Sequence, residues 1–329
     1  MSAAVGPVRW GILGTGRINR KLLEGARQSG QLEVVAVASR GPDRAAAFAS
    51  EHAIPRAHGS YEALLDDPGV EAVYISLPNS LHHPWTMRAL AAGKHVLCEK
   101  PYTRRSAEVV EAFDAAERAG LVLSEAFMWR HTPQVGRLLE LLPRIGPLEQ
   151  VRATFCYRLD DATDIRLLPV LDGGSLMDVG CYCVSGARLL AAREPERVWG
   201  EQVVGPSGVD VAFAATLRFP GGLLASLSCS FGSHHMGLEA IGREGTILLP
   251  DPWHSVTGLV ILDGDEALVE PTNPYRLELE NLGAAIRGRA DPLLGRADAL
   301  GQARTIEALY RSAETGTAVD PGSLGTTAP

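Results

Sequence analysis

The stretch Arg9-Trp10-Gly11-Ile12-Leu13-Gly14-Thr15-Gly16-Arg17-Ile18-Asn19-Arg20 joins a short apolar run to a helical pattern through glycines at positions 11, 14 and 16. Glycine lets the backbone turn tightly and approach a ligand with no Cβ in the way. A helix beginning just after such a turn presents unpaired N–H groups and the positive end of its dipole to a pyrophosphate. The pattern follows the dinucleotide fingerprint except at its third small position, where Asn19 stands in place of Gly or Ala. A lone Gly-x-Gly marks only a turn. After a strand, at the head of a strand–helix series, it predicts a nucleotide cradle.

Working outward, apolar runs at Trp10–Leu13, Val34–Ala38, Ala72–Leu77, His95–Cys98 and Val122–Leu123 alternate with helical patterns at Ile18–Gln28, Arg44–Glu51, Pro84–Ala92 and Ser106–Ala119. Short apolar strands separated by helices predict a doubly wound parallel sheet of Rossmann type over residues 1–126, with its ligand beyond the carboxyl ends of the strands. The texture changes after Arg130. Val151–Leu159, Val211–Phe219, Leu223–Phe231, Glu239–Ile241 and Thr246–Leu249 alternate as β-strands, and Pro220-Gly221-Gly222 reads as a hairpin turn. With helices at Leu176–Ala192, Tyr275–Arg287 and Ala297–Thr315, residues 127–321 predict an α+β domain on a large, mostly antiparallel open sheet. The last helix is a candidate to pack back on the first domain. The Gly/Ser/Thr/Pro-rich tail, residues 322–329, reads as disordered.

The chain has 329 residues, 46% hydrophobic and 21% charged, with a formal charge of −8. That balance predicts an ordinary globular protein and argues against nucleic acid or anionic membrane as the main partner. A phosphate-bearing ligand then needs a local basic cluster. Five cysteines (Cys98, Cys156, Cys181, Cys183, Cys229) form no Cys-x-x-Cys and are read as reduced thiols. With no apolar run of membrane-spanning length and no signal-peptide layout at the N-terminus, a cytoplasmic location is expected. His82-His83, His95 and His234-His235 lack the spacing of a metal site, and no metal is expected.

The second strand, Glu33–Ala38, ends in Ser39-Arg40, with Arg44 one helical turn on. A carboxylate at that point would select NAD, whereas a hydroxyl and two guanidinium forks suit the 2′-phosphate of NADP. Two further strands run into Leu77-Pro78-Asn79 with His82 and into Glu99-Lys100-Pro101, both expected beside a nicotinamide. In Asp172-Gly-Gly-Ser-Leu-Met-Asp178-Val-Gly-Cys-Tyr182, Ser175 is a candidate helix start. Leu176, Val179, Cys183, Ala187, Leu190 and Ala191 then line one apolar stripe, and Asp178, Tyr182 and Ser185 fall on the opposite face.

At these residues the chain resembles the glucose-fructose oxidoreductase/inositol dehydrogenase (Gfo/Idh/MocA) family. It most resembles the branch of NADP-dependent D-xylose dehydrogenases, dimeric dihydrodiol dehydrogenases and sugar ketoreductases. The likeness is carried by residues 11–18, Ala38-Ser39-Arg40, 59–62, Ala92 to Pro101, Glu125 to Gln134, Gly173 to Tyr182 and 306–316. It implies Lys100 and Tyr182 as a catalytic pair with Asp178 beside the substrate. It also implies Gly14, Thr15, Gly16, Arg17, Ile18, Ser39, Arg40, Arg44, Leu77, Pro78, Asn79, His82, Glu99, Lys100, Trp129 and Arg130 around the coenzyme. His131, Arg166 and Trp253 join Lys100, Asp178 and Tyr182 toward the substrate. The resemblance further implies a homodimer or higher homo-oligomer through the second sheet.

The expected activity is NADP(H)-dependent hydride transfer to or from a sugar or polyol, with Tyr182 as general acid/base assisted by Lys100. A dihydrodiol dehydrogenase and a nucleotide-sugar ketoreductase are neighbouring alternatives. A non-catalytic NADP-binding regulator and an NAD-dependent glycoside hydrolase are alternatives of other classes. The substrate itself is not legible, because pocket-lining side chains come from variable loops.

Overall fold

The computed structural model describes residues 6–254 and 256–324. The chain forms two compact units: one takes the residues up to Thr103, Glu108–Met128 and Asn273–Ala299, the other Arg104–Ala107, Trp129–Thr272 and the residues from Leu300 on.

The first unit carries β1 (Val8–Leu13), α1 (Ile18–Arg27), β2 (Leu32–Ala38), α2 (Pro42–His52), β3 (Arg56–His58), α3 (Tyr61–Leu65), β4 (Ala72–Ile75), α4 (His82–Ala91), β5 (His95–Glu99), most of α5 (Ser106–Ala119) and β6 (Leu123–Ala126). The strands pair in the order β3-β2-β1-β4-β5-β6, all parallel. The order reverses between β1 and β4, which is where a doubly wound sheet opens a crevice at the strand ends. Four residues of β4 are fully buried, as an apolar strand covered on both faces requires. Gly11 serves this packing rather than a ligand: a Cβ there would lie 2.7 Å from Leu64 of α3.

The second unit carries α6 (Pro133–Leu141), β7 (Leu148–Cys156), a π-helical turn (Leu176–Gly180) running into α7 (Cys181–Ala191), β8 (Arg197–Val204), β9 (Asp210–Arg218), β10 (Leu224–Ser230), β11 (His235–Gly242), β12 (Thr246–Leu249), β13 (Leu259–Leu262) and β14 (Asp265–Leu268). Its eight strands run β14-β13-β12-β11-β7-β10-β9-β8, antiparallel except for the β7–β10 pair. The hairpin at Pro220-Gly221-Gly222 joins β9 to β10, as the sequence predicts.

Of the closing helices, α8 (Pro274–Ile286) belongs to the first unit, not to the stretch 127–321 assigned from sequence to the second domain. It crosses α1 so closely that a Cβ on Gly25 would lie 2.7 Å from the Arg276 nitrogen. The last helix, α9 (Arg296–Thr315), starts in the first unit and continues in the second. There Gln302 donates to the Cys181 carbonyl and accepts from Arg188, whose fork also holds Glu194. The disordered tail expected over 322–329 needs correction at its start. Pro321–Ser323 form a 3₁₀ turn capped by Asp320, and 325–329 lie outside the described residues.

Candidate active site

In the first unit the glycine turn follows β1 directly. Gly14 has φ +109°, a left-handed conformation, and a Cβ there would lie 3.1 Å from the Ser76 carbonyl oxygen at the end of β4. Only glycine fits this close approach of two strand ends. Asn19, the residue that breaks the fingerprint, is fully buried, and its amide donates to the Gly14 carbonyl at 2.9 Å. It staples the helix to the turn, which is work a glycine could not do. Thr15 accepts a hydrogen bond from Arg44 Nε at 2.7 Å, so the turn and the start of α2 meet through that guanidinium. Burial raises the Tyr61 pKa, and Arg40 and Arg44 both pull it back, which locates the two guanidiniums around the same phenol. Ser39 is buried just past β2.

The segment after β5 is held by its main chain. Glu99 accepts from the Lys100 N–H at 3.2 Å and from the Tyr74 hydroxyl, and Glu125 accepts from the Tyr102 N–H at 2.8 Å. Both ring nitrogens of His82 lie 2.8 Å from carbonyl oxygens, Nδ1 from Pro101 and Nε2 from Leu77. His82 is therefore turned inward, 1% exposed. Its nitrogens are spent on the backbone. Beneath this segment, Glu278 of α8 is buried with no hydrogen-bond partner for either oxygen among the described residues. Burial, with Glu99 adding to it, pushes its carboxyl well above the usual range.

In the second unit, Tyr182 lies on α7, its ring edge-on to Phe155 at 5.4 Å and 5.9 Å from Trp253. Trp253 is fully buried, donates its indole N–H to the Thr154 carbonyl at 2.8 Å and stands edge-on to Trp129, also fully buried, at 5.1 Å. Neither indole offers surface to a small molecule. Trp253 backs Tyr182, and Trp129 packs behind Trp253. Arg130 stacks over Trp129 and donates to Ser185 at 3.4 Å. His131 is largely buried beside Arg130, and desolvation followed by that charge pushes its pKa down to about 4.

Asp178 lies in the π turn. Its Oδ2 accepts from the Tyr157 hydroxyl at 2.7 Å and from Arg166 Nε at 3.0 Å. Arg166 also donates to Asp164 at 3.1 Å. Burial and then Asp178 push the Tyr157 phenol well up, so Tyr157 keeps its proton and donates.

The face opposite the apolar stripe is closed as well. Every residue of α7 from Cys181 to Arg188 is buried, Ser185 completely. Ser175 does stand at the helix start, as the sequence predicts, but its hydroxyl does not cap the helix's own N–H groups. Its hydroxyl and the Leu176 N–H both donate to Asp210 Oδ2 at 2.7 Å, and the Tyr310 hydroxyl donates to Oδ1 at 2.9 Å. Asp210, 3% exposed, thus anchors the helix start from 35 residues away. The adjoining Gly174, φ +122°, could carry no side chain, because a Cβ would fall 2.1 Å from Asp210 Oδ1.

Asp210, Tyr157 and Glu125 escape a reading of the sequence, since each acts across a separation that no local pattern marks. Among the described residues no cluster of His, Cys, Asp or Glu could hold a metal ion, and no helix is long and apolar enough to cross a membrane.

Comparison with known proteins agrees with this architecture. Residues 8–127 match the model of an oxidoreductase family with an NAD-binding Rossmann fold, GFO_IDH_MocA, and residues 143–248 match a GFO/IDH/MocA C-terminal domain. A D-xylose 1-dehydrogenase (NADP(+)) of Haloferax volcanii is 40% identical, covering 94% of this chain and 99% of the relative. The mouse (Mus musculus) trans-1,2-dihydrobenzene-1,2-diol dehydrogenase is 38% identical over 77% of this chain and 78% of its own. The crystal structure of a 3-ketoreductase from Actinomadura kijaniata in complex with NADP and TDP-benzene superposes with a TM-score of 0.88 at 28% identity, covering 93% of this chain and 98% of that one. With its six-stranded parallel sheet, its second open sheet and these matches, the chain belongs to the GFO/IDH/MocA oxidoreductase family.

Proposed function

We propose that the protein is an NADP(H)-dependent oxidoreductase acting on an alcohol or carbonyl carbon of a sugar or polyol, with Tyr182 as general acid/base and Lys100 as the cation that assists it. The observation that carries the coenzyme assignment is the end of β2. Ser39-Arg40 stands where an Asp or Glu would select NAD, and Arg44 reaches the glycine turn through Thr15 at 2.7 Å. A carboxylate there would repel a 2′-phosphate, whereas paired guanidiniums hold one. The cradle fits a dinucleotide: Gly14 leaves no room for a side chain against Ser76, and α1 begins two residues after Gly16. Relatives named for NADP and for sugar or diol substrates support the same reading.

When bound, the nicotinamide supplies or takes the hydride. The chain's own part is proton transfer and orientation. A free phenol titrates near pH ~10, so Tyr182 needs a cation to act as a base, and Lys100, set at a strand end by the bonds to Glu99 and Pro101, is the candidate. In reduction the Tyr182 hydroxyl gives its proton to the substrate oxygen, and in oxidation the phenolate takes it back. Asp178, which already accepts from Tyr157 and Arg166, serves as a hydrogen-bond acceptor that orients a substrate hydroxyl. The alternating outward residues of β8, β9 and β10, with Trp199 of β8 40% and Leu224 of β10 43% exposed, support homodimerisation through that sheet face in a cytoplasmic enzyme.

The test compares NADPH with NADH in the wild type and in Arg44→Ala. NADPH is expected to be preferred, and the variant to lose about tenfold or more in NADP affinity with NAD binding unchanged. Equal dissociation constants for the two coenzymes in the wild type would remove the assignment.

A further inference from the structure

We infer that His82 is a fixed imidazolium, a positioning residue that joins the ends of β4 and β5 by donating from both ring nitrogens and so sets where Lys100 leaves the sheet. The argument begins with the acceptors. Leu77 and Pro101 offer His82 only carbonyl oxygens, each 2.8 Å from a ring nitrogen. A carbonyl oxygen donates nothing. A neutral imidazole has one N–H and one bare lone pair, so either tautomer would press a nitrogen lone pair against an oxygen lone pair. The doubly protonated ring satisfies both.

Rotating the ring by half a turn does not escape this. It would put ring carbons where the nitrogens stand, and 2.8 Å is well inside the roughly 3.3–3.6 Å of a C–H···O contact. The observed spacing instead falls within the about 2.7–2.9 Å of a charge-assisted N–H···O bond.

Two costs oppose the charge. The ring is 1% exposed, and His82 opens α4, whose positive dipole end disfavours a cation. Turning the ring to solvent would relieve the first cost but forfeit both carbonyl partners. The partners explain the return. Leu77 lies two residues beyond the end of β4 and Pro101 two beyond the end of β5, outside the sheet ladder that fixes the strands themselves. With Glu99 on the Lys100 N–H and Glu125 on the Tyr102 N–H, His82 completes a set of side chains that hold residues 100–102 by their main chain. Its neighbour His83 is engaged separately, with the Tyr102 hydroxyl and Glu111.

The consequence for turnover rests on the proposed catalytic role of Lys100, whereas the charge on the ring does not. The decisive measurement is nitrogen NMR of the full-length protein labelled at histidine, with the His82 signals assigned by their loss in His82→Gln. Both ring nitrogens are expected to stay protonated from about pH 6 to about pH 8, where an exposed histidine becomes neutral. A His82 ring with one unprotonated nitrogen in that range would overturn the inference.

Steady-state kinetics gives the second readout. His82→Phe should lower kcat about tenfold or more with the KM for coenzyme within about threefold of wild type, and His82→Gln, which keeps an amide donor, should recover part of the loss. Equal kcat in wild type and His82→Phe would end the positioning role. If His82→Phe does not fold, a ring in the wild type that stays doubly protonated across that pH range, together with an intermediate kcat in His82→Gln, carries the inference. If Tyr182→Phe were fully active, the catalytic reading would fall while the NMR result stood.

Discussion

Around Lys100, side chains grip the main chain: Glu99 and Glu125 accept from N–H groups, and His82 reaches two carbonyls. Around Tyr182 and Asp178, side chains grip side chains: Tyr157 and Arg166 hold the carboxylate, and Phe155 and Trp253 wall the phenol. The difference follows from what each unit has to present. A strand end can be aimed by fixing its backbone, because strands on either side already define it. A helix face projects side chains, so the precision must come from what packs against them.

The sharpest break in this comparison comes from removing the reacting groups. Tyr182→Phe and Lys100→Ala should each lower kcat about 10²-fold or more with NADP affinity little changed, read by steady-state kinetics and coenzyme titration. Wild-type-like turnover in Tyr182→Phe would leave the second unit with no reacting group. Next comes Asp210→Asn, which leaves one of three buried donors without its acceptor and should cost about 2 kcal/mol in denaturant unfolding. An unchanged midpoint would show that the helix start holds itself.

The first unit carries a titratable counterpart in Glu278. Its folded pKa is raised, so the folded protein binds more protons than the unfolded one above the ordinary carboxylate value. Its contribution is fully present below that value and is lost as pH rises toward the folded pKa. Relative to wild type, Glu278→Gln should therefore gain stability with rising pH, by about 1.4 kcal/mol per unit within that window. A pH-independent difference between the two would contradict this. The smallest effect is expected for Tyr157→Phe, which removes the phenol donor to Asp178: a loss of about fivefold in kcat/KM with stability nearly unchanged.

The same contrast explains what could be read from the chain alone. The five strands and four helices expected in residues 1–126 all exist, because apolar runs of a parallel sheet and their intervening helices stand out locally. Missing from that reading are β3, a mostly exposed three-residue strand, and α3, a single five-residue turn. In the second unit β8, β13, β14 and α6 went unseen, and β8 shows why: its Trp199, Val203 and Val204 face outward, so polarity does not mark its two sides. The glycine turn and Arg44 were legible, since only particular residue types can do those jobs. Tyr157, Asp210 and Glu125 were not, because an ordinary Tyr, Asp or Glu becomes functional only through a distant partner. The inward turn of His82 was not legible either, since its spacing after Asn79 says nothing about which way the ring turns.

The π turn at Leu176–Gly180 has a consequence for how this helix can change over time. A π turn accommodates a surplus residue inside an otherwise regular helix. Loss of any one residue there would let the turn relax to ordinary helical winding while α7 and Tyr182 stayed seated against Phe155 and Trp253. A different neighbour would then meet Tyr157 and Arg166 in place of Asp178. A length change of one residue is thus one route by which this scaffold could acquire a new preference at the same phenol.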